Sequence, residues 1–105
     1  MATKQQFSSF EDLITQSKKP LLVDFYATWC GPCQMLSPII EQVQMLLKGR
    51  IQVAKIDTDK YPDIAGRFQV HALPTLVLFK GGKPVHRLEG VQPAEQIVAQ
   101  ISPFL

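Results

Sequence analysis

Apolar and polar residues follow two rhythms along this chain, and the points where the rhythm changes mark its elements. Leu21-Leu22-Val23-Asp24-Phe25-Tyr26-Ala27 is apolar on both faces, as a strand buried between helices should be, with one carboxylate inside it. From Pro32 to about Lys48 the apolar positions are Met35, Leu36, Ile39, Ile40, Val43, Leu46 and Leu47, which is helical spacing, and Gly49 follows as a C-terminal cap. Pro38 inside this stretch predicts a kink and not an end, because the periodicity resumes beyond it. Residues 51–56 read as a second β-branched buried strand, and 61–68 as a short helix with Pro62 in its first turn. Residues 75–79 and 85–88 flank Gly81-Gly82, a hairpin signal, and 93–101 form a closing amphipathic helix with Pro93 near its first position. Upstream, Ser8 and Glu11 have the spacing of a capping box that opens a helix running to about Ser17, with Pro20 barring continuation. A weak first strand near residues 4–7 precedes it. The alternation predicts an α/β fold: a central five-stranded mixed β-sheet, its early strands parallel, flanked on both faces by four helices.

Composition narrows the possibilities. The 105 residues suit one domain spanning 1–105, and a 46% hydrophobic share belongs to a globular chain. Eleven basic against nine acidic residues leave a charge of +2, with no basic block, so no nucleic-acid partner is expected. The longest apolar runs, such as Leu76-Val77-Leu78-Phe79, are far short of a membrane span, and the first residues carry no apolar signal region. A cytoplasmic location is expected, or an organelle stroma where a transit segment has been removed. Two cysteines are too few for a disulfide-stapled secreted domain, and both, Cys30 and Cys33, sit in one turn's length of chain.

That placement carries chemistry. Cys30 falls where the strand ending near Ala27 gives way to a helix, the junction where α/β units gather functional groups. The unpaired N–H groups of a first helical turn and the positive end of its dipole both favour a thiolate there. Cys33 lies one turn on, on the same face, so closing a disulfide needs only a small adjustment. A loop that small adds little stability, which suits repeated opening and closing. Gly31 lets another backbone approach the Cys30 sulfur, and Pro32 fits the first turn while removing a competing N–H. Position suggests that Cys30 attacks a substrate disulfide and that Cys33 then attacks Cys30 to release the product. Two other readings stand beside this one. The pair is half of a zinc site, although His71 and His86 lack the spacing of the missing ligands, or it is an inert core pair. No bound metal or other cofactor is expected.

The ordered set Val23-Asp24-Phe25-Tyr26-Ala27-Thr28-Trp29-Cys30-Gly31-Pro32-Cys33, Lys55-Ile56-Asp57, Leu73-Pro74-Thr75, Phe79-Lys80-Gly81-Gly82 and Gly90 resembles the thioredoxin family over nearly the whole chain. The resemblance implies the thioredoxin fold and a thiol–disulfide oxidoreductase. It implies that Asp24 is a buried carboxylate that takes the proton from Cys33 and returns it, with Lys55 on the neighbouring strand as its partner. It implies that Pro74 is a cis proline facing the disulfide and that the Leu73 backbone pairs with an extended substrate segment. Trp29, Gly31, Pro32, Leu73, Pro74 and Gly90 would form the flat apolar patch that docks client proteins. His71 reads as an exposed loop residue. Gln34 stands where many relatives have Lys or Arg, Glu89 where an apolar residue is common, and Tyr26 where many have tryptophan. In these departures the chain resembles chloroplast y-type and cyanobacterial members more than the enterobacterial form.

The activity implied is reduction of disulfides in client proteins by a monomer, recharged by a thioredoxin reductase that is flavin- or ferredoxin-linked. Gly-Pro between the cysteines argues against a disulfide oxidase or isomerase, whose members usually carry His there to make the couple more oxidising. A binding subunit of a larger assembly is the alternative outside catalysis.

Overall fold

A computed structural model describes residues 9–105. Among the described residues four strands, β1 (Leu21–Tyr26), β2 (Gln52–Asp57), β3 (Thr75–Lys80) and β4 (Lys83–Glu89), form one sheet in the order β2-β1-β3-β4. β1 pairs with β2 in parallel, while β3 runs antiparallel to both β1 and β4, so the mixed sheet with parallel early strands is as expected. The expected fifth strand at residues 4–7 lies outside the described residues.

Helices α1 (Phe10–Gln16) and α3 (Pro62–Arg67) cover one face; α2 (Gly31–Leu47) and α4 (Ala94–Ile101) cover the other. A short 3-10 turn, Ser102–Phe104, follows α4. Alternation along β1 decides which core each residue enters. Leu21, Val23 and Phe25 join Ile14, Val77 and Phe79 under α1 and α3, whereas Leu22 joins Leu76, Leu78 and Leu88 beneath Leu36, Ile40, Ile97 and Ile101. By the same alternation Asp24 points to the α2 side.

Some boundaries differ from the sequence reading. The N-cap of α1 is Ser9, not Ser8: its hydroxyl accepts from the Asp12 amide at 3.1 Å. Pro38 lies within α2 and does not end it, as expected. The left-handed residue that stops α2 is Lys48, φ 51°, with Gly49 continuing the turn at φ 80°. Strand β2 is buried only at Ile56 and Asp57, because among the described residues it is an edge strand with a single partner. Pro93 caps α4 from just outside it.

Candidate active site

Strand β1 ends at Tyr26, and four residues later Cys30 takes up the N-cap position of α2 in an extended conformation, φ −90° and ψ 110°. The Cys30 Sγ accepts a hydrogen bond from the Cys33 amide at 3.2 Å. A sulfur so placed receives an N–H that the helix cannot use internally and sits at the positive end of the peptide dipoles, so negative charge on it is stabilised. Cys30 and Cys33 are joined as a disulfide with their Cα atoms 5.3 Å apart, and neither side chain is more than 5% exposed. Both belong to a small cluster with Ala27, flanked by Tyr26 and Leu73.

The two cysteines open on different surfaces. Cys30 lines a shallow groove of about 410 Å³ together with Trp29, Gly31, Pro32, Thr58, Val70, His71 and Leu73. Cys33 lines a separate cleft of about 270 Å³ with Tyr26, Ala27, Thr28, Gln34, Ser37 and Lys55. The indole of Trp29 is 71% exposed, yet it is held in place, since its Nε1 donates to Asp59 Oδ2 at 2.8 Å. The Leu73–Pro74 bond is cis. Pro74 itself is buried behind Leu73, and its carbonyl accepts from the Gly90 amide at 2.9 Å, with Gly90 at φ 83°. Neither of those two residues lines the groove. His71 is exposed, as expected, and stands in the groove wall.

Asp24 lies 2% exposed in mid-strand, and among the described residues its Oδ1 has no hydrogen-bond partner. Burial pushes its carboxyl from 3.8 up to about 6, against a smaller opposing pull from the Lys55 ammonium. Lys55 is the residue paired with Asp24 in the β1–β2 register. Its Nζ lies 4.8 Å above the Tyr26 ring and donates to Ser37 Oγ at 3.4 Å. Tyr26 is itself pushed above the usual phenol range, mainly by desolvation and then by the carboxylate of Asp57.

Sequence reasoning missed Asp59, Thr58 and Val70. Asp59 follows β2 at the same end of the sheet as the cysteines, where the parallel strands β1 and β2 both finish, and that position is the signal that points to it. Among the described residues no group of three or more His, Cys, Asp or Glu is arranged to hold a metal ion, and no helix is long and apolar enough to cross a membrane.

Comparison with known proteins agrees with this geometry. The thioredoxin family model matches residues 2–103. A thioredoxin-like protein of Synechocystis sp. is 61% identical over 105 residues, covering all of both chains. Rice (Oryza sativa subsp. japonica) chloroplastic thioredoxin Y is 58% identical over 99% of this chain, which spans 62% of that longer protein. The crystal structure of oxidised mitochondrial thioredoxin 3 from Saccharomyces cerevisiae superposes with a TM-score of 0.80 at 36% identity, over 90% of this chain and 86% of that one. With the Cys-Gly-Pro-Cys pair closed at the tip of α2, the chain belongs to the thioredoxin family, a thiol–disulfide oxidoreductase of the protein-disulfide reductase kind.

Proposed function

We propose that residues 1–105 work as a single thioredoxin unit that reduces client disulfides through the following division of labour. The Cys30 thiolate attacks one sulfur of the client disulfide, forming a Cys30–client mixed disulfide and expelling the other client sulfur as a thiolate. Cys33 then attacks the Cys30 sulfur, which closes the intramolecular disulfide and releases the second client thiolate, so two electrons pass to the client. The proton leaving Cys33 goes to the Asp24 carboxylate, whose affinity for it is raised by burial and trimmed by Lys55. The client lies along Trp29, Gly31, Pro32 and Leu73, with Pro74 and Gly90 fixing the Leu73 backbone for strand-like pairing.

The observation that carries this reading is the separation of the two openings: Cys30 on the groove, Cys33 on the cleft that holds Lys55. A client approaching along the groove meets Cys30 first, while Cys33 stays within reach of the proton-handling side. The oxidised chain is returned to the dithiol by a thioredoxin reductase, flavin- or ferredoxin-linked, and acts as a monomer without a bound cofactor. Its Synechocystis and chloroplast relatives favour a cytoplasmic or stromal setting.

Trapping tests the assignment. Cys33→Ser incubated with insulin should accumulate a mixed disulfide visible by non-reducing electrophoresis and mass spectrometry, and Cys30→Ser should not. The opposite pattern would exchange the two roles.

A further inference from the structure

Helix α3 ends in an unusual way, and the ending bears on the groove. After Phe68 the chain turns at Gln69, a non-glycine residue at φ 55°. The Gln69 amide donates to Gly66 O at 3.1 Å and the Val70 amide to Ala65 O at 2.9 Å. This crossed pair is the helix stop that ordinarily places glycine at the left-handed position, because a Cβ there crowds the following carbonyl. Gln69 occupies it with a side chain attached, at a conformational cost that contacts from elsewhere can offset.

Arg87 on β4 supplies such contacts. Its Nη1 donates to Gln69 O at 3.0 Å and its Nη2 donates to Phe68 O. Glu89 lies 3.6 Å from the guanidinium and steadies it. The planar fork thus joins two consecutive carbonyls of the turn to the sheet, which a lysine could do for one at a time. The residues that follow the turn directly, Val70, His71 and Leu73, are the groove wall facing Cys30.

We propose that Arg87 is a positioning residue for client docking: it locks the left-handed Phe68–Gln69 turn and thereby fixes the groove wall from Val70 to Leu73. The proposal rests on the reading of that groove as the client site. It assigns Arg87 no contact with the reacting sulfurs.

Steady-state reduction of insulin and of a small aromatic disulfide, with Trp29→Ala as a control on docking, separates the possibilities. Arg87→Met should raise the KM for insulin about fivefold while kcat and the rate on the small disulfide stay within about twofold, the mark of lost binding without lost chemistry. Arg87→Lys should fall between. In a Gln69→Gly background the Arg87→Met effect should shrink, because glycine holds the turn unaided. Amide exchange at Val70, His71 and Leu73 should quicken in Arg87→Met and be restored in part by Arg87→Lys. An unchanged insulin KM in Arg87→Met, with a raised KM in Trp29→Ala, overturns the clamp and leaves the docking reading standing. If Trp29→Ala also leaves KM unchanged, the docking reading itself falls. An equal loss on both disulfides, or full additivity with Gln69→Gly, also overturns the proposal.

Discussion

Replacing Asp24 with asparagine should change stability by an amount that depends on pH, and the structure sets both its size and its sign. The carboxyl binds its proton more tightly in the folded chain, at about 6, than the 3.8 of an ordinary aspartate. Below a pH of about 4 both folded and unfolded chains carry the proton, and the residue adds no charge term. Between about 4 and about 6 the unfolded chain gives up its proton first, so stability falls as pH rises. Above about 6 the loss is complete, and at 1.36 kcal/mol per unit the shift amounts to about 3 kcal/mol. At 2% exposure little solvent screening reduces that figure. Asparagine removes the titration but keeps the shape and a polar amide. Urea unfolding of the oxidised proteins from a pH of about 3.5 to about 7.5 should therefore show the variant gaining about 3 kcal/mol relative to the parent across that range. Whatever constant offset the buried amide contributes cancels in the comparison. A stability difference that stays flat with pH would refute the reasoning, because it would mean that the carboxyl is not held near neutrality by burial.

Lys55→Met removes the cation that pulls the Asp24 carboxyl down, so the acidic limb of the rate of mixed-disulfide resolution should move to higher pH; an unmoved limb would separate Lys55 from the proton step. Asp59→Ala removes the 2.8 Å bond to the Trp29 indole. Trp29 is the single tryptophan, so its fluorescence anisotropy should fall, and the KM for insulin should rise about two- to fivefold with kcat retained. Equilibration of the Cys30–Cys33 pair against a glutathione series should place its midpoint at the reducing end of dithiol couples. A value near about −120 mV, where strongly oxidising dithiols sit, would sink the reductase assignment.

Much of this molecule is legible without coordinates, for reasons that differ from element to element. Strand β1 is plain because burial on both faces leaves no polar rhythm, and the one exception, Asp24, announces itself by breaking the run. Cys30 and Cys33 are legible because strand-to-helix junctions and first-turn chemistry are local. The α1 cap is not, since Ser8 and Ser9 both offer a hydroxyl and the helix can begin one residue later without rotating Phe10, Leu13 and Ile14 away from the sheet. Strand β2 reads as buried from its β-branched residues, but exposure there follows from its place at an edge, a property of topology and not of composition. The Trp29–Asp59 bond and the Arg87 brace bridge 30 and 18 positions of sequence, respectively, and no periodicity encodes such pairings.

The position of Asp24 poses the sharpest energetic question. An aliphatic residue there would extend the face that Leu22, Leu76 and Leu78 already present to α2 and would avoid a neutral-pH cost of about 3 kcal/mol, against a total stability of about 5–15 kcal/mol for a domain of this kind. A Cys30–Cys33 loop of minimal length recovers little of that loss on oxidation. At neutral pH the carboxylate is therefore a liability to the fold of the oxidised chain. The proposed mechanism gives it a use: Cys33 must become a thiolate at the moment of resolution, in a site where each cysteine side chain is nearly solvent-free. A base poised near neutrality serves that step better than an ordinary carboxylate, which would hold the proton too weakly, and under this mechanism the cleft that Cys33 shares with Lys55, separate from the client groove, is where the proton would be exchanged. Stability and turnover then respond in opposite directions to the same substitution. An Asp24→Asn chain that unfolds later yet resolves its mixed disulfide at the parent's rate would show that the liability has no catalytic return.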